Sequence, residues 1–144
     1  MVQDGQADSM TTIEEWEKSI RRGVAARSRR FSNAFDLDLA EQAIRDHPTS
    51  FVLWVLRGDM ILLCDEEVAG YSEAEALRSY MKAAELEPQS PLPQLEMGHY
   101  FDARMDDPAG ALPYFQKAID LGGGEPAVRA FEDALRQLAD ESGS

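Results

Sequence analysis

Residues 74–86 read AEALRSYMKAAEL, and residues 109–121 read AGALPYFQKAIDL. The two stretches match at a constant offset of 35 residues, through Ala76 and Ala111, Leu77 and Leu112, Tyr80 and Phe115, Lys82 and Lys117, Ala83 and Ala118, and Leu86 and Leu121. A segment with helical spacing and a glycine precedes each stretch, with Gly58 in the first and Gly98 in the second. One such helix pair cannot bury its apolar face alone, so the period predicts a solenoid of stacked helix pairs.

The connections between the predicted helices carry start signals. Thr49 or Ser50 can cap the helix that follows it. Ser90 and Asp107 each precede a proline, which is tolerated at the first helical position because an N–H there has no intrahelical partner. No segment alternates convincingly with period two, so we predict an all-α fold of about seven helices in antiparallel pairs. The predicted domain covers residues 11–140, with helix pairs at about 12–47, 50–87 and 91–121, a cap helix at 126–139, and flexible tails at 1–10 and 141–144. The apolar face of the cap helix carries Val128, Phe131, Leu135 and Leu138.

Residue size along these helices indicates how the pairs pack. Small residues such as Gly98 and Ala111 occur where two helices must approach closely, and Tyr80 and Phe115 are large where the next pair leaves space to fill. The predicted packing residues are Trp54, Gly58, Ala76, Tyr80, Ala83, Gly98, Phe101, Ala111, Phe115 and Ala118.

These residues resemble the tetratricopeptide repeat, whose pattern is Trp-x-x-Leu-Gly-x-x-Tyr on the first helix, Ala-x-x-x-Phe-x-x-Ala on the second, and then Pro. The first copy reads Trp54, Arg57, Gly58, Ile61, Ala76, Tyr80, Ala83 and Pro88, and the second reads Gln94, Met97, Gly98, Phe101, Ala111, Phe115, Ala118 and Gly123. Arg57, Gln94 and Gly123 depart from the pattern. The resemblance covers about residues 33–122, with a weaker third copy before residue 50, and it implies a right-handed superhelical solenoid.

Tetratricopeptide domains commonly bind peptides on a concave face lined by the first helix of each pair. The matching positions of this chain are Val52, Val55, Asp59, Leu62, Leu92, Leu95, His99 and Asp102. A groove of this composition suits a ligand with hydrophobic side chains and Lys or Arg. The alternative is that some of these residues pack against the cap helix or the tail. The lysines and asparagines with which chaperone-binding members hold a peptide carboxylate are absent, so we do not expect that ligand.

Charge narrows the classes of partner. The chain has 27 acidic and 14 basic residues, a net charge of −13, which disfavours nucleic acid and anionic membrane and favours a basic protein or peptide. Six basic residues lie between 18 and 30, namely Lys18, Arg21, Arg22, Arg27, Arg29 and Arg30. This basic cluster is a solvated face, a docking surface for an acidic partner or a second copy, or, least favoured, a contact with RNA or DNA. We expect a monomer or weak homo-oligomer.

The first repeat is longer than the second. Gly58 and Ala76 are 18 residues apart, whereas Gly98 and Ala111 are 13 apart. The additional residues fall in the acidic loop 65–71, which is either a solvated connection or a projection that contacts a partner.

Catalytic chemistry finds little support in the sequence. The chain has only His47 and His99 as histidines, with no nucleophile and base in a recognisable arrangement and no paired Cys/His set with zinc spacing. We therefore expect no enzyme activity, no cofactor and no metal. Cys64 is the single cysteine, which favours a reducing compartment, and residues 1–10 lack a secretory pattern, so we expect a cytoplasmic protein whose start is Met1 or Met10.

Two functional hypotheses follow. The first is a non-enzymatic protein-interaction module that binds a basic and hydrophobic partner in the groove, as an adaptor, co-chaperone or inhibitor. The second is a structural or assembly protein that associates with itself or docks through the predicted basic helix at 12–29.

Overall fold

The computed structural model describes residues 12–15, 18, 34–64, 68 and 70–143. Within these ranges the secondary structure is helical and contains no strand, which confirms the predicted all-α fold. The helices are α1 (Ala34–Asp46), α2 (Phe51–Leu63), α3 (Glu73–Leu86), α4 (Pro91–His99), a π-helix (Tyr100–Arg104), α5 (Pro108–Asp120) and α6 (Gly124–Ser142).

Side-chain caps begin several of these helices where the sequence predicts them. The Ser50 hydroxyl accepts a hydrogen bond from the backbone N–H of Leu53 at 3.3 Å. Asp107 Oδ1 accepts one from the N–H of Gly110 at 2.9 Å. Ser90 caps α4 in the same way, and Pro91 and Pro108 follow their caps directly. Each bond satisfies an N–H group that has no partner within the first helical turn.

The predicted helix at 12–29 lies within the described residues only at 12–15 and 18. There the N–H of Thr12 donates to Glu15 Oε1 at 2.9 Å, and the N–H of Glu15 donates to Thr12 Oγ1 at 3.1 Å. These reciprocal bonds form a capping box. The bonds that Thr12 donates from its N–H and its hydroxyl to Glu15 Oε1 lower the pKa of the Glu15 carboxyl group. The five arginines of the basic cluster lie outside the described residues.

The chain divides into two compact units, Met1–Ser79 and Tyr80–Ser144, with the boundary inside α3. In the first unit α1 packs against α2. The buried apolar residues of the first unit are Leu37, Ala40, Ala43, Ile44, Leu53, Val55, Leu56, Met60, Ile61 and Ala76.

In the second unit α5 packs against both α4 and α6. The core of this unit contains Ala111 and Phe115 of α5 together with Ala130 and Ala134 of α6. Partly buried side chains that pack against this cluster are Leu95, Phe101, Leu112 and Phe131. Gly98 allows α4 to approach α5 closely, because a Cβ atom at this position would overlap the Cε1 and Cδ1 atoms of Phe115.

Most of the predicted packing residues are buried. The buried ones are Gly58, Ala76, Tyr80, Ala83, Gly98, Ala111, Phe115 and Ala118. Trp54 is half-buried, and its indole Nε1–H donates to the carbonyl of Pro48 at 3.1 Å. Phe101 is also half-buried and stacks on Tyr114, with the ring centroids 5.2 Å apart.

The predicted helix from 91 to about 104 changes its hydrogen bonding after His99. Tyr100–Arg104 forms a π-helix, in which the N–H of Met105 donates to the carbonyl of Tyr100 at 3.2 Å. Asp106 then adopts a left-handed φ of 52°, which ends the segment before the cap of α5. A π-turn widens the helix by one residue, so it changes the direction of the side chains that follow His99.

The final helix is longer than predicted. It begins at Gly124 and ends at Ser142, so residues 141 and 142, which we predicted to lie in a flexible tail, are helical. The N–H of Gly143 donates to the carbonyl of Ala139 at 3.0 Å and carries the hydrogen-bond ladder to this point.

Candidate functional site

The predicted groove residues of the first unit differ in accessibility. Val52, Asp59 and Leu62 on α2 are half-buried, so each has some accessible surface. Val55 is only 4% exposed. Val55 therefore belongs to the buried apolar residues and is not accessible to a ligand.

In the second unit the predicted residues lie on α4 and the π-helix. Leu92 and His99 are exposed and seven residues apart, which places them on one face of α4 about 10 Å from each other. Leu95 lies between them, half-buried, and packs against the core cluster. Asp102 follows on the π-helix and is half-buried. We refer to Leu92, Leu95, His99 and Asp102 as the α4 surface.

The Asp102 carboxylate is incompletely hydrogen-bonded. Its Oδ2 atom accepts a long hydrogen bond of 3.4 Å from the Nε2 of Gln137 on α6. Its Oδ1 atom is buried and has no hydrogen-bond donor among the described residues. A carboxylate whose oxygens have one long hydrogen bond between them is poorly compensated, so a donor that reaches its accessible side would be favoured here.

His99 lies beside this carboxylate. Its ring packs edge-on against Phe115, with the centroids 5.2 Å apart and the planes at 66°. Desolvation by the surrounding protein lowers the pKa of His99 below its ordinary value of 6.5, and the Asp102 carboxylate partly offsets this shift. His99 is therefore neutral at neutral pH, and the α4 surface keeps the negative charge of Asp102.

The lowered pKa of His99 predicts a pH-dependent stability. As the pH falls through 6.5, the unfolded chain binds a proton at His99 before the folded chain does. The stability associated with the neutral ring is therefore present above 6.5 and is lost as the pH falls through the lowered pKa. Melting temperatures of wild type and His99→Gln should run parallel above 6.5 and diverge below it, with the wild type losing more.

A variant of the other histidine, His47→Gln, shows whether the divergence is specific to His99. If the melting temperatures of wild type and His99→Gln fell in parallel with pH throughout the acid range, that result would contradict the lowered pKa.

A buried arginine in the first unit is the main feature that the sequence alone does not explain. Arg57 occupies an apolar position of the repeat pattern and is 9% exposed. Its Nε atom donates to Glu41 Oε2 at 2.9 Å, and one terminal nitrogen donates to the Ser79 hydroxyl at 2.6 Å. The other terminal nitrogen lies 3.4 Å from Glu75 Oε1. Arg57 thus connects α1, α2 and α3 by hydrogen bonds.

Aromatic rings complete the surroundings of Arg57. Its guanidinium lies 5.3 Å from the ring centroid of Tyr71 and 5.8 Å from that of Trp54, within the range of cation–π attraction. The Tyr71 hydroxyl donates to Glu41 at 2.6 Å, and burial together with this bond raises the pKa of Tyr71 to about 12. Tyr71 ends the acidic loop, so this contact attaches the end of the loop to α1 and α2.

The second unit also contains a concavity that sequence reasoning did not identify. It has a volume of about 410 Å³ and lies among the C-terminal half of α3, α4 and α5. Its lining includes Met81, Glu85, Gln94, Met97, Tyr114 and Lys117.

Two other kinds of site were sought among the described residues. No group of His, Cys, Asp or Glu side chains there has a geometry suited to a metal ion. None of the helices in these ranges combines the length and apolar character needed to cross a bilayer.

The fold has a counterpart among solved structures. The tetratricopeptide repeat domain of Sgt2 from Aspergillus fumigatus superposes with a TM-score of 0.69, covering 92% of this chain and 82% of that chain at 18% sequence identity. The superposition demonstrates a common fold. At this level of identity it carries no inference about the ligand. No family model matches the sequence, and no curated protein matches it significantly. By its structure, this chain has the fold of a tetratricopeptide repeat domain.

Proposed function

We propose that this chain is a tetratricopeptide repeat protein that binds a segment of another protein on the α4 surface. The segment carries hydrophobic side chains and at least one Lys or Arg. The exposed Leu92 and the half-buried Leu95 provide apolar contact, while Asp102 attracts the cation. Asp59 and Leu62 on α2 offer a similar combination of a carboxylate and an apolar side chain in the first unit.

The observation that carries this proposal is the incompletely hydrogen-bonded carboxylate of Asp102. The residue keeps some accessible surface, and the single long bond from Gln137 leaves hydrogen-bonding capacity on Oδ2 for a ligand. An ammonium or guanidinium group supplies both a donor and a positive charge, and charge-assisted hydrogen bonds are stronger than neutral ones. The neutral His99 ring does not compensate the carboxylate, so a ligand cation meets no competing charge from it.

The role that fits this site is that of an adaptor, co-chaperone or inhibitor acting on a basic partner in the cytoplasm. Tetratricopeptide folds typically serve as interaction modules without catalytic activity, and we propose the same here. The net charge of −13 adds long-range attraction for a basic partner. Assembly through the basic cluster at 18–30 stays a prediction from sequence.

Selection from a displayed library of random peptides tests this proposal. Wild-type protein should enrich peptides that combine Leu, Ile or Phe with Lys or Arg. The Asp102→Asn variant keeps the shape of the side chain and removes its charge, so the enrichment of Lys and Arg should disappear. A selected basic peptide should bind this variant about tenfold more weakly or worse.

Asp120→Asn is the matched control, because Asp120 is an exposed carboxylate on α5 that accepts a hydrogen bond from Gln116. This variant should select the same peptides as wild type. Equal enrichment of basic peptides by wild type and Asp102→Asn would exclude the α4 surface as the binding site.

A further inference from the structure

Helix α6 presents its apolar residues in two rows. Its buried row consists of alanines, Ala127, Ala130 and Ala134, which pack on the rest of the second unit. The larger residues form a second row at spacings of three and four, made of Val128, Phe131, Leu135 and Leu138. Val128 is 39% exposed and Leu135 is 45% exposed, while the other two are half-buried. We call this second row the α6 ridge.

The accessible edge of the α6 ridge is not covered by the described residues. Val128 and Leu135 each leave more than a third of their surface accessible, whereas Phe131 packs partly against the core cluster. Exposed apolar residues that form a row with a polar border are typical of interaction sites. Apolar side chains spaced three and four residues apart along a helix match the apolar stripe of a second amphipathic helix.

The charges beside the ridge indicate the chemistry of that helix. Glu132 is exposed and lies one turn from both Val128 and Leu135, so it borders the ridge. Arg129 and Arg136 are engaged by Glu125 and Asp133 respectively.

Over its length α6 has five acidic residues and two arginines. Two copies of this acidic helix facing each other would repel, so charge disfavours pairing of α6 with α6 of a second copy and favours a basic helix.

We propose that the α6 ridge docks an amphipathic helix of another protein, with Leu, Ile or Phe along one stripe and Lys or Arg beside it. This surface lies on a different helix from the α4 surface, so the proposal does not rest on the proposed function, and each can fail alone.

Designed peptides test the proposal directly. Three peptides of about 18 residues, long enough to form a helix, carry the same leucine stripe, and their bordering positions are all Lys, all Gln or all Glu. Titration into isotopically labelled protein, followed by amide chemical shifts, should show binding of the Lys peptide with the largest changes around Val128, Glu132 and Leu135. The Gln peptide should bind more weakly, and the Glu peptide should not bind.

Variants of α6 distinguish the ridge from the acidic helix in general. Leu135→Asn should weaken binding of the Lys peptide about tenfold or more and leave the circular dichroism unchanged, since Leu135 is exposed. Glu132→Gln should weaken it several-fold at low salt. Asp133→Asn removes the same charge from the adjacent position, which points away from the ridge, and should have little effect.

Four outcomes would overturn the proposal. They are absence of binding by the Lys peptide, equal binding of all three peptides, shift changes centred on Leu92 and His99, and equal weakening by Glu132→Gln and Asp133→Asn. Light scattering provides a further test, because self-association that Leu135→Asn abolishes would identify a second copy as the occupant.

Discussion

Leucine in place of Gly98 should lower the free energy of unfolding of the second unit by about 3 kcal/mol or more, because the side chain overpacks the core. A Cβ atom at this position already overlaps two atoms of the Phe115 ring and lies 3.0 Å from a third. Phe115 is fully buried, so its ring cannot swing into solvent to relieve the overlap. Urea unfolding followed by circular dichroism measures the loss.

Alanine at the same position separates two effects of opposite sign. Replacing a glycine inside a helix by alanine normally stabilises the helix by about 1 kcal/mol. At Gly98 we expect net destabilisation, since the overlap with Phe115 costs more than this gain. Gly98→Ala should therefore lower the free energy of unfolding less in a Phe115→Leu background than in wild type, because the smaller leucine side chain reduces the overlap.

Ala109→Leu is the control for added volume, because Ala109 is exposed in the first turn of α5. Its free energy of unfolding should stay within about 0.5 kcal/mol of wild type. A Gly98→Leu protein as stable as this control would contradict the close packing of α4 on α5.

Alanine in place of Arg57 should destabilise the protein by about 3 kcal/mol, since breaking one side of a buried ion pair leaves the other charge uncompensated. The side chains of Arg57 and Glu41 are 11% and 26% exposed, and they lie 2.9 Å apart. The Ser79 hydroxyl, which is fully buried, would also lose the donor that Arg57 provides.

Leucine at position 57 restores the repeat pattern and gives a stricter test. Arg57→Leu alone should still destabilise, because Glu41 keeps its charge. Arg57→Leu combined with Glu41→Gln should be close to wild type, because apolar or neutral replacements of a buried pair are often tolerated. The double-mutant cycle, measured by chemical denaturation, gives the coupling between the two residues. An Arg57→Leu protein more stable than wild type would show that the network is dispensable for stability.

Local signals account for what the sequence predicted well. Ser50, Ser90 and Asp107 each bond to an N–H two or three residues away, so their caps depend on neighbouring residues alone. The match of Phe115 with Tyr80 and the position of Gly98 likewise follow from the repeat. The fold class was therefore accessible without a structure.

Contacts between distant residues account for what the sequence could not predict. Arg57 bonds to Glu41 and Ser79 across 16 and 22 residues, and no spacing rule links these positions. An arginine at an apolar repeat position was the only available signal. Asp102 reaches Gln137 across 35 residues, and the π-helix that orients Asp102 has no clear sequence signature.

On two predicted surfaces, the accessibility of some residues differs from what the sequence predicts. Val55 occupies a groove position in the repeat pattern, but it is 4% exposed, because one face of a helix can contain both accessible and buried positions. On α6 the pattern marks a wide apolar face and does not distinguish its two rows. The small alanines form the buried row, and the larger side chains lie at its accessible border.

The central claim is that a ligand cation meets Asp102 on the α4 surface. The most direct measurement is the amide chemical-shift map of labelled wild-type protein titrated with one Lys-containing peptide from the library selection. We predict the largest changes at Leu92, His99 and Asp102, and their loss when the peptide lysine is replaced by glutamine. Changes confined to other helices, or an identical map with the glutamine peptide, would contradict the account.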